Sequence, residues 1–208
     1  MIPFPNKRYD IVYADPPWSY NDKMQGHGAW GGALDQYQTQ SDDYIKWLDV
    51  ESICNNDCVL FMWAVSPLLP IALQVMNCWG FKYKTIAFVW NKKTVNWNQI
   101  YNMGRWTMAS VELCLLGVKG KPRRIKNNVK QLVECVREKH SKKPDVVRNR
   151  IVELMGDVSR IELFSRQKTQ GWDVWGNDSN IYHPNQNYIL KAQIENIVNN
   201  KLWEANQV

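Results

Sequence analysis

Short apolar segments alternate with segments of helical periodicity along most of this chain, and that alternation restricts its fold more than any other feature. Seven segments are predicted as strands because they are short, apolar and bounded by turn-forming residues. They cover residues 9–14, 59–65, 85–90, 111–118, 132–136, 160–164 and 172–175. Strands that alternate with helices predict an α/β fold built on a doubly wound, mostly parallel sheet.

Four segments carry helix signals, at residues 42–54, 68–79, 144–155 and about 187–203. Ser41 is a plausible N-cap for the first. The second follows Pro67 and stops at Gly80, and the third begins with a proline and is followed by Gly156. With 208 residues and no repeat or linker, the sequence predicts a single domain over 1–208, which ends in the helix at about 187–203.

Composition indicates the cellular compartment and whether a metal site or a membrane span is expected. The five cysteines are odd in number and mostly in apolar stretches, which is typical of free thiols in a reducing, cytoplasmic compartment. Neither they nor the three histidines show a ligand spacing, so no metal site is predicted. No apolar run approaches the ~20 residues that cross a bilayer, and no secretory leader is evident.

The charge predicts a polyanionic partner. The formal net charge is +6 and the isoelectric point about 9.0, with basic residues concentrated between Lys119 and Arg150. A charge-rich segment is often only a solvated face. Eleven tryptophans favour the other interpretation, because flat side chains beside cations are suited to stacking on nucleic-acid bases.

The segment Asp15-Pro16-Pro17-Trp18 follows the first predicted strand, at the end where open α/β sheets bind ligands. Proline restricts its own backbone and that of the preceding residue, so we expect Asp15 to extend the strand and point into the cleft. With the Pro16 carbonyl it would offer two acceptors and no competing local donor. A planar ring that bears an amine matches this pattern. The alternative is a tight turn above a core tryptophan.

Two long segments, 19–40 and 91–109, lack a clear apolar period. Loops of this length in a compact domain are commonly functional. Each follows a predicted strand, and each carries tryptophan. We therefore expect both to be lids over the cleft beside Asp15.

Seven motifs, in this order, resemble those of the MT-A70 adenine methyltransferases. The resemblance runs from about Tyr9 to Asp178. The motifs are D-P-P-W at 15–18, V-W-N-K at 89–92, G-R-W at 104–106, E-L-C-L-L-G-V-K-G at 112–120, H-S-K-K-P at 140–144, I-E-L-F-S-R at 161–166 and W-G-N-D at 175–178.

The resemblance implies a Rossmann-like methyltransferase with permuted motif order and S-adenosyl-L-methionine as cofactor. The catalytic segment would come first, formed by Asp15, Pro16, Pro17 and Trp18. The cofactor-binding half would come later, and the residues implied to hold the cofactor are Asp15, Lys143, Phe164, Ser165, Arg166, Asn177 and Asp178.

The implied reaction transfers a methyl group to the exocyclic N6 amine of adenine in nucleic acid. The base would be flipped out or single-stranded, with Trp18, Trp90 and Trp106 as candidates for stacking. Glu112 either adds an acceptor near the base or is an ordinary strand-edge carboxylate. The predicted substrate-binding residues are Tyr20, Trp90, Lys92, Arg105, Trp106, Glu112, Arg123 and Arg124.

Three alternatives stay open at this point. The acceptor is DNA or RNA, with DNA preferred. The chain is an enzyme or a non-catalytic, nucleic-acid-binding subunit of a methyltransferase complex. The target is adenine or another amine, such as a glutamine amide or cytosine. Because no groove-reading module is evident, target choice would come from the chain's own loops, from a second copy in a homodimer, or from a partner subunit.

Overall fold

A single seven-stranded sheet forms the centre of the protein. The structure, a computed structural model, describes residues 3–18, 42–104, 106–138, 142–165 and 167–176. The strand order is β5-β3-β4-β2-β1-β6-β7. The strands are β1 (Tyr9–Ala14), β2 (Cys54–Ala64), β3 (Lys82–Lys93), β4 (Val111–Lys119), β5 (Leu132–Val136), β6 (Arg160–Leu163) and β7 (Asp173–Trp175).

Strand direction gives the sheet two different edges. Four neighbouring pairs are parallel, while β4 is antiparallel to both β2 and β3. Six strands therefore end at one edge, which we call the carboxyl edge, and β4 begins there. At the opposite, amino edge those six strands begin and β4 ends. The predicted α/β fold with a mostly parallel sheet is confirmed.

The helices differ from prediction in one place. Helices α2 (Leu69–Cys78) and α3 (Asp145–Met155) match the predicted segments within a residue or two. The predicted helix at 42–54 is wrong, because it divides into a short α1 (Asp42–Lys46) and a 3-10 turn (Val50–Ile53). The Asp49 side chain accepts a hydrogen bond from the Ser52 backbone N–H at 3.3 Å, which starts the new turn, and β2 begins directly after it.

Strands β2 and β3 are longer than the apolar runs that predicted them. β2 begins at Cys54, which pairs with Tyr9 ahead of an irregular stretch in the β1–β2 register, and β3 extends to Lys82, paired with β4, and to Lys93, paired with β5. The predicted C-terminal helix at 187–203 and the predicted cap Ser41 lie outside the described residues.

Both faces of the sheet are buried. Along β1, Val12 and Ala14 belong to one apolar cluster, whereas Ile11 and Tyr13 belong to the other. The buried side chains of α2 pack in the first cluster, and those of α3 pack in the second. Alternate residues of a strand face opposite sides, so this pattern is that of a sheet covered by helices on both faces.

The connection between β3 and β4 is more ordered than predicted for the segment 91–109. Its first residues belong to β3, and two isolated β-bridges follow, between Lys93 and Gln99 and between Asn102 and Ala109. The connection is a hydrogen-bonded hairpin, since antiparallel neighbours need no crossover. It stands at the carboxyl edge. Among the described residues, no helix combines the length and apolar character that crossing a bilayer requires.

Candidate active site

Asp15 lies directly beyond β1 at the carboxyl edge, as the sequence predicts. Ala14, the last residue of β1, pairs with Met62 in β2 and with Leu163 in β6. Asp15 therefore emerges between two strands that end at the same edge, where parallel α/β sheets bind ligands. About a quarter of its side chain is exposed.

The two prolines place the next residues in a tight turn. The Trp18 backbone N–H donates to the Pro16 carbonyl at 2.8 Å, an i to i+2 contact. The prediction that no local donor competes for this carbonyl is therefore wrong. A carbonyl oxygen has two lone pairs, so one remains for a ligand.

Trp18 closes this turn against the core. Its indole N–H donates to the Trp63 carbonyl at 3.0 Å, and only 8% of the residue is exposed. Little of its ring is therefore accessible for the stacking predicted from the sequence. Its observed contact anchors the segment that carries Asp15.

Four charged side chains form a chain of ion pairs across this edge. The Lys143 ammonium lies 3.0 Å from Asp15 Oδ1 and 3.3 Å from Glu112 Oε2. Glu112 also accepts a hydrogen bond from Lys92 at 2.5 Å. Lys143 precedes α3, Glu112 begins β4 and Lys92 ends β3, so three distant parts of the chain meet at Asp15. Glu112 is therefore part of the site and not an isolated strand-edge carboxylate.

The ion pairs keep Lys143 and Glu112 charged. Burial alone would lower the pKa of Lys143, but the carboxylates of Asp15 and Glu112 outweigh that effect and raise it above its usual 10.5. Burial likewise favours a higher pKa for Glu112, but Lys143 and Lys92 together lower it. At neutral pH the site thus contains a fixed ammonium between two carboxylates, an arrangement that can bind both anionic and cationic parts of a ligand.

The tryptophans predicted to stack occupy different environments. Trp90 is 3% exposed and packs edge-on against Trp63, with ring centroids 6.3 Å apart. Lys92 and Lys143 lie over these two rings at 5.1 and 5.6 Å. Each lysine ammonium therefore packs against the face of a buried indole ring. Trp106, on the β3–β4 hairpin, is 97% exposed and has its ring available for stacking.

The loop after β6 provides a second, tightly packed part of the carboxyl edge. Phe164 adopts a positive φ of 60°, a conformation that is uncommon outside glycine and concentrated at functional sites. The Ser165 N–H donates to the Trp175 carbonyl at 3.1 Å, and its hydroxyl donates to the Gln167 carbonyl at 2.7 Å. A Cβ on Gly176 would lie 2.8 Å from the Ser165 carbonyl, so only glycine allows this close backbone approach.

Comparison with known proteins places the chain in a family. The model of the MT-A70 family matches residues 9–178, which is most of the chain. The chain belongs to the MT-A70 family. The family prediction made from the seven motifs is confirmed. The matched residues have the same bounds as the predicted resemblance, from Tyr9 to Asp178.

Relatives of this MT-A70 chain include one of similar length. This chain is 37% identical over 205 residues to the Type II methyltransferase M.MunI of a Mycoplasma species, and the alignment covers 89% of this chain and 85% of that relative. It is also 28% identical to an N(6)-adenosine-methyltransferase MT-A70-like protein of Arabidopsis thaliana and 26% identical to the human N(6)-adenosine-methyltransferase catalytic subunit METTL3. These alignments cover 83% and 85% of this chain but only 24% and 29% of the longer relatives.

Not all predicted site residues of this MT-A70 protein come together. Asp15, Lys143, Glu112 and Lys92 form one cluster, and Phe164 and Ser165 lie on the adjacent strand end. Arg123 and Arg124 follow the end of β4 and lie at the opposite, amino edge. The remaining predicted residues fall outside the described residues: Tyr20, Arg105, Arg166, Asn177 and Asp178.

Sequence reasoning missed two supports of the MT-A70 site. Arg148 in α3 makes two hydrogen bonds to Glu162 in β6, at 2.7 and 2.6 Å, and both residues are buried. A charge between apolar neighbours in the I-E-L-F motif requires a buried partner, so this pair was detectable. Trp63, which lies under Lys143, had no such signal, because a tryptophan within an apolar strand is usually an ordinary core residue.

Proposed function

We propose that this chain transfers a methyl group from S-adenosyl-L-methionine to the exocyclic N6 amine of adenine in nucleic acid. The observation that carries the proposal is Asp15, held at the carboxyl edge beside a buried ammonium and followed directly by the Pro16 carbonyl. Family membership and relatives named as N(6)-adenosine-methyltransferases support the same reaction.

Asp15 and Pro16 are suited to hold an amine. An ionised carboxylate has about four acceptor positions, and Lys143 contacts one oxygen of Asp15. A carboxylate next to a backbone carbonyl matches the two N–H donors of an exocyclic amine. Hydrogen bonds to Asp15 and to the Pro16 carbonyl would favour a pyramidal nitrogen and direct its lone pair toward the reactive methyl group. Such positioning accounts for much of enzymatic rate enhancement.

The donor set also fits the cofactor. The charged ammonium of Lys143 matches a carboxylate, and the carboxylates of Asp15 and Glu112 match cationic groups. The close backbone packing between Ser165 and Gly176 forms part of the carboxyl edge beside Asp15, where the cofactor would bind. When bound, the cofactor supplies an electrophilic methyl group on a sulfonium.

DNA is the preferred acceptor in this proposal, and RNA is the alternative. The relative that matches nearly from end to end is named a Type II methyltransferase, whereas the N(6)-adenosine-methyltransferases match over about a quarter of their length. A cytoplasmic location is part of the proposal. The described cysteines are free thiols, three of them buried, as suits a reducing compartment.

The function is tested by incubating the protein with radiolabelled S-adenosyl-L-methionine and either DNA or RNA of matched sequence, then identifying the labelled nucleoside. Label in N6-methyladenine from DNA is expected. Label in N6-methyladenosine from RNA would reassign the acceptor. Label in a cytosine derivative, or in protein, would reject the adenine target.

Replacing Lys143 with alanine is expected to weaken cofactor binding by about 10- to 100-fold, the range of a lost hydrogen bond to a charged group. Asn177→Ala should weaken it as well. Isothermal titration calorimetry with the demethylated cofactor product would measure both. The control is Lys142→Ala, since Lys142 is adjacent but pairs instead with Glu138 and Asp145 at 2.6 and 2.9 Å. Wild-type affinity in both Lys143→Ala and Asn177→Ala would reject the assigned cofactor site.

A further inference from the structure

The amino edge of the sheet has a concentration of unpaired positive charge. Six exposed cations lie at the beginning of β3 or in the connection that leaves β4 at this edge and leads to β5. None of them has an ion-pair partner within the described part of the chain. We call this set the amino-edge basic surface: Lys82, Lys84, Lys121, Arg123, Arg124 and Lys130.

Acidic residues near this surface are already engaged by other groups. Glu51 pairs with Lys119 at 3.0 Å, and Glu153 pairs with Lys126 at 3.2 Å. Asp57 accepts a hydrogen bond from the Lys121 backbone N–H at 2.7 Å. Asp57 keeps its negative charge and offsets part of this surface, so most of the positive charge of the six cations remains available to an external anion.

The connection that carries most of these cations is anchored to the fold. The backbone N–H groups of Ile125 and Lys126 donate to the Leu154 carbonyl at 2.9 and 3.3 Å. Arg150 donates to the carbonyls of Lys130 and Leu132 at 2.8 and 2.6 Å. A loop anchored at several points presents its side chains with a smaller entropic cost of binding, as befits a binding surface.

This surface is too distant to hold the nucleotide that enters the active site. Glu112 and Lys119 lie seven residues apart on β4, which corresponds to at most about 23 Å at roughly 3.3 Å per residue. Arg123 and Arg124 lie beyond Lys119. Neighbouring nucleotides of one strand in a duplex are separated by about 3.4 Å along the axis, so the two edges are about seven nucleotides apart.

We propose that the amino-edge basic surface binds the phosphate backbone of the substrate nucleic acid several nucleotides away from the modified base. The inference rests on the proposed function for the identity of the anion. It adds a contact that is separate from the catalytic cleft. Backbone phosphates match an extended set of exposed lysines and arginines, because such contacts need only positive charge and hydrogen-bond donors.

The length of the substrate separates this contact from the cleft. A five-nucleotide oligonucleotide centred on the target adenine has only two nucleotides on each side, about 7 Å at the duplex rise, and cannot reach the other edge, whereas a 25-base-pair duplex can. In the variant Arg123→Ala/Arg124→Ala, we expect KM and Kd for the duplex to rise at least tenfold. The values for the short oligonucleotide should stay as in the wild type.

Salt dependence provides a second readout. Each lost phosphate contact lowers the slope of log affinity against log salt by about 0.9 for duplex DNA, so the double variant should lose about 1.8 from the slope measured by fluorescence anisotropy. The matched control, Arg123→Lys/Arg124→Lys, retains the charges and should bind the duplex within about threefold of the wild type.

Two results would overturn the proposal. One is an unchanged duplex Kd and salt slope in the double alanine variant, which would leave a solvated face or an acidic protein as the partner. The other is an equal loss for both substrate lengths, which would place these arginines at the cleft. Failure of the proposed function is distinguishable, because wild-type protein would then transfer no methyl group while anisotropy still reports duplex binding.

Discussion

Replacing Asp15 with alanine should reduce methyl transfer by about 100- to 1,000-fold, the usual cost of losing one positioned polar group in an active site. The reason is that Asp15 is the acceptor that would orient the amine. The fold should survive, since Lys143 keeps its contact with Glu112 at 3.3 Å after the change. The rate is measured under single-turnover conditions with labelled cofactor, and the fold by thermal denaturation.

The control for this change is Asp10→Asn, at the other end of the same strand. Asp10 accepts hydrogen bonds from Asn55 at 2.7 Å and from the Ser159 hydroxyl at 2.5 Å, so its loss should affect stability while leaving the rate within a few-fold of the wild type. An Asp15→Ala variant that retains activity close to the wild type would show that another group orients the amine and would refute the proposed role.

Replacing Arg148 with methionine should reduce the free energy of unfolding by about 3 to 5 kcal/mol, the range for removing one partner of a buried ion pair. The change leaves Glu162 buried without its two hydrogen bonds. Burial already raises the pKa of Glu162 even though Arg148 opposes that effect, which indicates how unfavourable a charge is at this position. Urea denaturation measures the loss.

Two further variants separate a buried ion pair from a general packing effect. Arg148→Met combined with Glu162→Leu should recover most of the lost stability, because no unpaired charge remains. Glu153→Ala removes the partner of Lys126 in a surface pair on the same helix, in which both side chains are about half exposed, and should cost less than about 1 kcal/mol. A double variant as unstable as Arg148→Met alone would contradict the explanation.

Local pattern in the sequence was sufficient to predict most of the strands and the position of Asp15 at the end of β1. The strand at 9–14 and that at 132–136 were predicted with their observed bounds, because an apolar run bounded by polar or turn residues defines a buried strand. Asp15 was placed correctly for the same reason: it follows such a run directly. The seven ordered motifs identified the MT-A70 family, since they depend only on residue order.

Contacts between distant parts of the chain were decided by the tertiary structure. The sequence did not show that Lys92, Glu112 and Lys143 would form one cluster with Asp15. Nor did it show that Arg123 and Arg124 lie at the edge opposite Asp15. Each depends on the direction and neighbours of β4. Periodicity reports only which residues of a strand are buried, whereas strand order and direction arise from backbone pairing between segments far apart in sequence.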